Sequence, residues 1–573
     1  MADKVDLVVR HGLVVDGRGG EPYEADIAVR NGRIVAVGDV LATGTEEIDA
    51  KGRIVTPGFV DVHTHYDGQA TWDERLHPSS FHGVTTAVMG NCGVGFAPCR
   101  PDQRDMLLRL MEGVEDIPGV VLSEGVPWQW ESFPDYFDFL SRRRYDIDVA
   151  GYVPHAALRV YVMGERAASR DAATPRDLAE MDRLMRQAMQ AGAMGFGTSR
   201  TLLHRSSNGE TTPTLKATEE ELTVLARAVR ETGDGLMQFV SDWDPQEDAL
   251  SELDRIIAGS GCRISFAMTQ NHRRPDIWRR TLDWVAQAND AGKWVKVQIL
   301  PRPLGLLLGH ELTLNPFYTT ETYRALSCLP FAEKIRALRQ PDIRARIINE
   351  PPDPNPTNAL GVRTRFFDRL FELSDPPNYE PSPDDSVAAQ AARMGVRPEE
   401  RAYDLLLERD GRNLLYMAIS NYAEASLDTV HDMLSHRDTV PGLGDAGAHL
   451  GSICDGSYST FLLTHWARDR KHDRFTLPLV VKSLSHDTAS VMGLNDRGVL
   501  APGYRADINV IDFDHLRLGV PTIQRDLPAG GRRLMQRASG YDVTVVGGAV
   551  TYRNGEATGA LPGRLVRGHQ AAP

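Results

Sequence analysis

A chain of 573 residues, 42% apolar and 25% charged, has the composition of a folded protein with room for a large catalytic domain and a smaller one. Its formal net charge of −14 argues against nucleic acid or an anionic membrane as the main partner. No apolar run approaches a membrane span, and Met1-Ala2-Asp3-Lys4-Val5-Asp6 has no basic region followed by an apolar core. The five cysteines (Cys92, Cys99, Cys262, Cys328 and Cys454) are scattered without a CxxC pair, which predicts free thiols and a cytoplasmic protein.

The first element is small β-structure. Short strands are expected at 6–10 and 13–16 around His11-Gly12. Strands at 25–29 and 33–37 flank Asn31-Gly32, a pair that favours a type I′ hairpin because both residues tolerate positive φ. The far end repeats this grammar: strands at 541–546 and 549–552 around Gly547-Gly548, then Asn554-Gly555. The two ends are therefore expected to pair into one discontinuous β-domain, residues 1–57 plus 497–573, with a catalytic domain at 58–496 between them.

Residues 58–67 open that domain as a short buried strand. Side chains alternate along a strand, so Phe59, Asp61, His63 and His65 share one face. Two imidazoles spaced this way can converge on one ion. An apolar strand delivering polar groups at its end is also how barrel enzymes present catalytic groups. Strands alternating with helices follow. Strands are predicted at 82–89, ending at Gly90-Asn91-Cys92-Gly93, and at 148–153, ending at His155. A helix over 174–190 carries Thr174 as cap, Pro175 in the first turn and Asp177 closing a capping box, with Leu178, Met181, Leu184, Met185 and Met189 as its apolar stripe. A strand at 193–199 leads to Arg200 and His204. Thr218 and Glu221 form a second capping box, and strands at 235–240, 264–268 and 295–299 continue the alternation. Repeated β-then-α units argue for a parallel sheet covered by helices. An eight-stranded barrel fits the count best, and no GxGxxG or P-loop supports the doubly wound alternative.

Residues from about 300 to 400 break the rhythm with proline-rich stretches at 301–303, 351–356 and 376–385. These read as an extended, turn-rich insertion over one barrel face, serving as a lid, a pocket wall or an oligomer contact. The rhythm is expected to resume at 414–419 and at 440–443. The latter ends in Gly444-Asp445-Ala446-Gly447-Ala448-His449.

Four strand ends thus carry metal-competent or proton-transfer groups: His63 with His65, Cys92, His155 and Asp445. Imidazole and thiolate suit Zn²⁺, and a carboxylate after a late strand suits a base acting on water. Arg200, His204 and Arg302 are candidates to hold a substrate carboxylate, since Arg offers a bidentate fork. His155 is a candidate to orient a scissile carbonyl, and His449 either joins the site or caps a helix. Trp128, Trp130 and Phe133 either line an acyl pocket or pack within a loop.

The segments 56–65, 83–86 and 498–510 together resemble the amidohydrolase superfamily, and Asn91-Cys92-Gly93 resembles its N-acyl-D-amino-acid deacylase branch. The resemblance covers nearly the whole chain. It implies a metal-bearing (β/α)8 barrel of the α/β class, with a small β-sandwich built from both termini. It also implies hydrolysis of a C–N amide bond, most directly of an N-acyl amino acid. His63, His65, Cys92 and Asp445 match its metal ligands, and Asp445 its general base and acid. The family's further histidines from the fifth and sixth strands have no clear counterpart. Gln238, Gln270, Asn271 and His272 stand in those regions, and no lysine stands in a clear fourth-strand position. One zinc ion rather than two is expected. A cyclic-amide hydrolase of the hydantoin type, and a barrel that has lost catalysis and serves binding or assembly, are the alternative readings. The expected partner is a small amide substrate, with a homo-oligomer open.

Overall fold

The computed structural model describes residues 4–243, 248–354, 356, 358 and 360–573. Met1, Ala2 and Asp3 of the amino-terminal reading and Asn355 of the proline-rich run lie outside the described residues.

Eight parallel strands build the catalytic part. They are β1 (Phe59–Asp61), β2 (Val84–Met89), β3 (Asp148–Gly151, continued by Val153–Pro154), β4 (Gly195–Arg200), β5 (Leu236–Ser241), β6 (Arg263–Met268), β7 (Val295–Ile299) and β8 (Thr439–Pro441). β1, β2 and β3 pair in order, and β3 through β8 pair in order. The ring closes where the chain beyond β8 meets the chain beyond β1. Thr64 bridges Ala446 in parallel, and the His65 N–H donates to the Ala446 carbonyl at 2.8 Å. That closing contact carries both His65 and Asp445 to one end of the barrel, the carboxyl end of its strands.

The helices that matter to the site are α1 (Arg104–Glu115), α2 (Pro175–Gln190) and α3 (Glu219–Thr232). α2 forms as its sequence dictates: Thr174 Oγ1 accepts from the Asp177 N–H and Asp177 returns the bond to Thr174, while Leu178, Met181 and Met185 are buried. α3 departs from expectation. Thr218 caps the Glu221 N–H, but the Glu221 side chain turns inward to His155 instead of closing the box. A buried imidazole without a partner costs more than one open N-terminal N–H, which water can satisfy.

The chain's two ends meet in one nine-stranded sheet. Ile508–Ile511 pairs antiparallel with Ile54–Pro57, joining strands from the first 57 residues to Tyr541–Val546, Ala549–Arg553 and Glu556–Ala557. Asn31 and Gly32 both hold positive φ (53° and 73°), as do Gly547 and Gly548 (53° and 82°), as two-residue type I′ turns require. One face of the sheet buries Leu7, Val9, Ile27, Val55, Val510 and Val545. Val5, Val8, Ala28 and Val40 form a separate cluster.

The insertion differs from its expected form. Leu415–Ser420 is not a barrel strand. It pairs antiparallel with Leu304–Leu308 and Leu370–Glu372 in a three-stranded sheet. Helices at Phe331–Leu338, Pro341–Asn349, Val387–Met394 and Pro398–Gly411 pack on it, with Leu306, Phe317, Leu338, Tyr403, Leu406 and Met417 in a core of their own. Of the proline-rich stretches, Pro383 opens a short helical turn at Pro383–Asp385, and outside them Pro341 and Pro398 stand in the first turn of helices, where no N–H is missed.

Candidate metal centre and its surroundings

The chain beyond β1 places His63 and His65 on one side, both fully buried. Cys92 follows β2 in a turn that only a special backbone permits. Gly90, Cys92 and Gly93 all hold positive φ (84°, 56° and 73°). A Cβ at Gly197 on β4 would sit 2.4 Å from the Gly90 carbonyl oxygen, so a glycine there lets the turn settle against β4. The Cys92 N–H is held by Gln238 Oε1 of β5 at 3.0 Å. Asp445 and His449 also hold positive φ (48° and 51°). Left-handed non-glycine residues are strained, and such strain concentrates at functional sites.

The donor atoms converge. One ligand atom each from His63, His65 and Cys92 lies within 4.8 Å of the other two. His63 Nε2 is 3.4 Å from Cys92 Sγ and 3.1 Å from Asp445 Oδ1, and His65 Nε2 is 3.4 Å from the same oxygen. Donors around a tetrahedral zinc ion stand roughly 3.3–3.6 Å apart, given bonds of about 2.0–2.3 Å. The set therefore fits a metal of that size. Gln298 Oε1 of β7 accepts from His63 Nδ1 at 2.6 Å, and Gln298 Nε2 donates to Ser265 Oγ of β6. An amide oxygen can only accept, so Nδ1 bears the proton and Nε2 keeps its lone pair for the centre.

Unsatisfied polar atoms surround this point. Both nitrogens of His65, Asp445 Oδ1, Glu115 Oε1 and Gln238 Nε2 are buried without a hydrogen-bond partner. Buried polar groups are ordinarily paired, and so many orphans in one place call for a bound group. Electrostatics name its sign. Burial, reinforced by the carboxylates of Glu115, Asp445 and Asp67, pushes the Cys92 thiol well above its ordinary range. Burial, with Asp445 and Asp67, does the same to the Glu115 carboxyl. Burial opposes the charge of Asp445, but the imidazoles of His63 and His65, 3.1 and 3.4 Å from its Oδ1, hold it well below the usual carboxylate range. Burial lowers His65 to about 4. A cation here would relieve the carboxylates and turn the thiol into a thiolate ligand.

Of the other residues singled out from sequence, some join this centre and others do not. His204 is half-buried, its Nδ1 2.9 Å from Ser199 Oγ. It is lowered to about 3 by burial and by the nearby His449 and His65. His449 Nε2 lies 3.8 Å from Glu115 Oε2. These two histidines border the centre. His155 does not: both its nitrogens are taken, by Thr198 Oγ1 and Glu221 Oε1, each at 2.8 Å. Arg200 is turned away to the Ala217 carbonyl and to Glu252 at 3.2 Å.

Arg302 is 1% exposed. It donates to Asp455, Ser457 and the Cys454 carbonyl, and stacks 4.0 Å over the Tyr379 ring. A guanidinium so committed has no fork left for a substrate. Arg302→Met is therefore expected to destabilise the fold by about 3–5 kcal/mol, because Asp455 is left buried and unpaired, with KM unchanged in the folded fraction. Chemical denaturation with parallel kinetics checks this. A raised KM at unchanged stability would return Arg302 to the substrate.

Among the residues considered for the missing histidine positions, only Gln238 faces the centre. Gln270 bonds Asn421, Ala423 and Glu424. Asn271 sits in an exposed turn, and His272 lies near Arg369, Arg363 and the Ala418 backbone. Trp130 and Phe133 are packed rather than open to an acyl chain. Trp130 Nε1 donates to the Phe96 carbonyl, and Phe133 stacks against Phe137 at 4.5 Å.

Sequence reasoning missed Glu115 and Gln298. Glu115 ends α1 in a polar-looking stretch, and Gln298 hides in an apolar strand. Alternation along β7 placed Gln298 on one face with Lys296, which offered no sign of burial.

Comparisons with known proteins identify the chain's relatives. D-aminoacylase of Alcaligenes xylosoxydans xylosoxydans is 26% identical over 572 residues, covering 98% of this chain and 97% of that protein. N-acyl-D-glutamate deacylase of the same organism is 33% identical over 312 residues, covering 53% of this chain and 58% of that protein. The solved N-acyl-D-glutamate deacylase of Bordetella bronchiseptica, complexed with zinc and a phosphonate mimic of the reaction's tetrahedral intermediate, superposes with a TM-score of 0.65 at 25% identity. It covers 99% of this chain and all of that one. Residues 46–552 match the amidohydrolase family as a whole, and the chain belongs to that family.

Proposed function

We propose that this protein removes the acyl group from an N-acyl-D-amino acid, using a single zinc ion held by His63, His65, Cys92 and Asp445. Family membership and the deacylase relatives make it a hydrolase of carbon–nitrogen bonds other than peptide bonds. The observation that carries the finer reading is the convergence of four donor atoms, two of them imidazole Nε2, on one point lined with unsatisfied polar atoms. Bound there, the ion supplies Lewis acidity towards a carbonyl and makes water acidic near neutral pH. Asp445 takes a proton from the attacking water and returns it to the leaving amine. Gln298 keeps His63 in one tautomer and one orientation. His204 and His449, at the border of the centre, meet the substrate's polar groups. One ion rather than two is supported by Gln238 on β5, which bonds the Cys92 N–H, and by Ser265 on β6, which bonds Gln298 of β7; neither is an imidazole.

We read residues 58–496 as the catalytic barrel and 1–57 plus 497–573 as the attached β-domain. Among the described residues no helix is long and apolar enough to cross a membrane. The cytoplasm as compartment is supported by five cysteines that form no disulfide.

The test is a zinc determination on the purified protein beside a panel of N-acetyl amino acids of both configurations. About one zinc per chain is expected, with hydrolysis of D-substrates that is lost on chelation and regained on zinc addition. Full hydrolysis by metal-free protein would overturn the reading.

A further inference from the structure

Each histidine of the centre has a second ring nitrogen, and its partner decides which nitrogen faces inward. On His63 that partner is Gln298. On His65, Nδ1 lies 3.3 Å from Glu115 Oε1. Glu115 is the last residue of α1 and is 1% exposed. A carboxylate is doubly disfavoured there, by loss of water and by the negative end of the helix dipole. The fold nevertheless holds it in place from both sides. The His449 N–H donates to the Glu115 carbonyl. The next residue, Asp116, takes positive φ (51°) and accepts from Ser452 Oγ at 2.8 Å. The end of α1 is thereby tied to the segment that carries Asp445 and His449. Neither Glu115 Oε1 nor either nitrogen of His65 has a hydrogen-bond partner, and the other imidazole beside the carboxyl, His449, stands 3.8 Å from Oε2.

We propose that Glu115 is the positioning residue of His65: it accepts the Nδ1 proton when Nε2 takes the metal, as Gln298 does for His63. Its charge makes the difference between the two clamps. A carboxylate partner raises the donor strength of an imidazole more than an amide does. Here it strengthens one of only two nitrogen ligands, in a centre without imidazoles from β5 and β6. The inference rests on the metal centre proposed above.

The experiment measures zinc affinity on the full chain by competition with a chromophoric chelator. It is paired with proton NMR of the cobalt-substituted protein, in which each Nε2-bound imidazole gives one exchangeable, hyperfine-shifted Nδ1–H signal. Wild type is expected to show two such signals. Glu115→Leu is expected to bind zinc about 10–100-fold more weakly and to lose one signal to solvent exchange. Should the leucine variant fail to fold, Glu115→Gln carries the test. It keeps an acceptor oxygen without charge, and a loss of about 10-fold, the low end of that range, is expected. Asp116→Asn removes the neighbouring charge while keeping an oxygen for Ser452 Oγ, and is expected to leave affinity and both signals as in wild type. Wild-type affinity and two signals in the folded Glu115 variants would overturn the role of Glu115, as would an Asp116→Asn variant that loses as much. Wild-type protein that binds no metal would instead overturn the centre itself.

Discussion

Asp445→Asn is expected to lower kcat for amide hydrolysis by about 10²–10⁴-fold, the range that a positioned general base and acid contributes. The carboxylate oxygen Oδ1 stands 3.1 Å from His63 Nε2 and 3.4 Å from His65 Nε2, at the point where β8 closes the ring against β1. An asparagine fits the same space and still offers an oxygen, but it cannot accept a proton at neutral pH. The fall is expected in kcat with a smaller change in KM, since Asp445 acts on the reacting water rather than on the bound substrate. Steady-state kinetics on refolding-competent, zinc-loaded protein checks this. Normal turnover by Asp445→Asn would remove the base assigned here. The same oxygen also belongs to the donor set, so zinc content is to be measured on the variant alongside the rate.

His63→Ala and His65→Ala are each expected to empty the centre rather than to weaken it slightly. Together the two imidazoles supply all the nitrogen donors, because the positions facing the site from β5 and β6 hold Gln238 and Ser265. Loss of either leaves one nitrogen, one sulfur and one carboxylate, and that carboxylate is also the group that works on water. Gln298→Leu gives the graded comparison. It keeps all four donors but frees the His63 ring, and about 10–100-fold weaker zinc binding is expected. Zinc per chain after gel filtration, followed by chelator competition, separates the two outcomes. A His63→Ala protein that keeps a full equivalent of zinc would show that the ion sits elsewhere.

The structure also changes what the charged residues around the barrel do. His155, Arg200 and Arg302 are the residue types that hold substrates, and from the chain alone nothing separates such a role from a structural one. In the folded protein each has found a carboxylate of its own: Glu221, Glu252 and Asp455 respectively. Burying a cation is costly unless it is paired, so a buried Arg or His usually reports a nearby acid in the fold rather than an empty place for a ligand. His204 differs because the charges beside it are those of the centre, and His449 because the carboxylate nearest it, Glu115, also borders His65.

The local pattern of residues determined a good deal by itself. Strand periodicity located seven of the eight barrel strands within a residue or two. Asn31-Gly32 dictated its hairpin through positive φ, and the alternation across Asp61, His63 and His65 put two imidazoles on one face. Cys92 and Asp445 were legible because each follows a strand in a glycine-bracketed turn. All of these are near-neighbour properties, set by sterics and pleat within a few residues. Only the tertiary structure decided that Leu415–Ser420 leaves the barrel for an antiparallel sheet, that Glu221 abandons its helix cap for His155, and that Glu115 and Gln298 come to lie beside His65 and His63. Those outcomes depend on which groups are buried together when the ring closes. A buried polar atom takes whatever partner lies within hydrogen-bond reach, and that partner comes from a distant strand or helix that local pattern does not bring near.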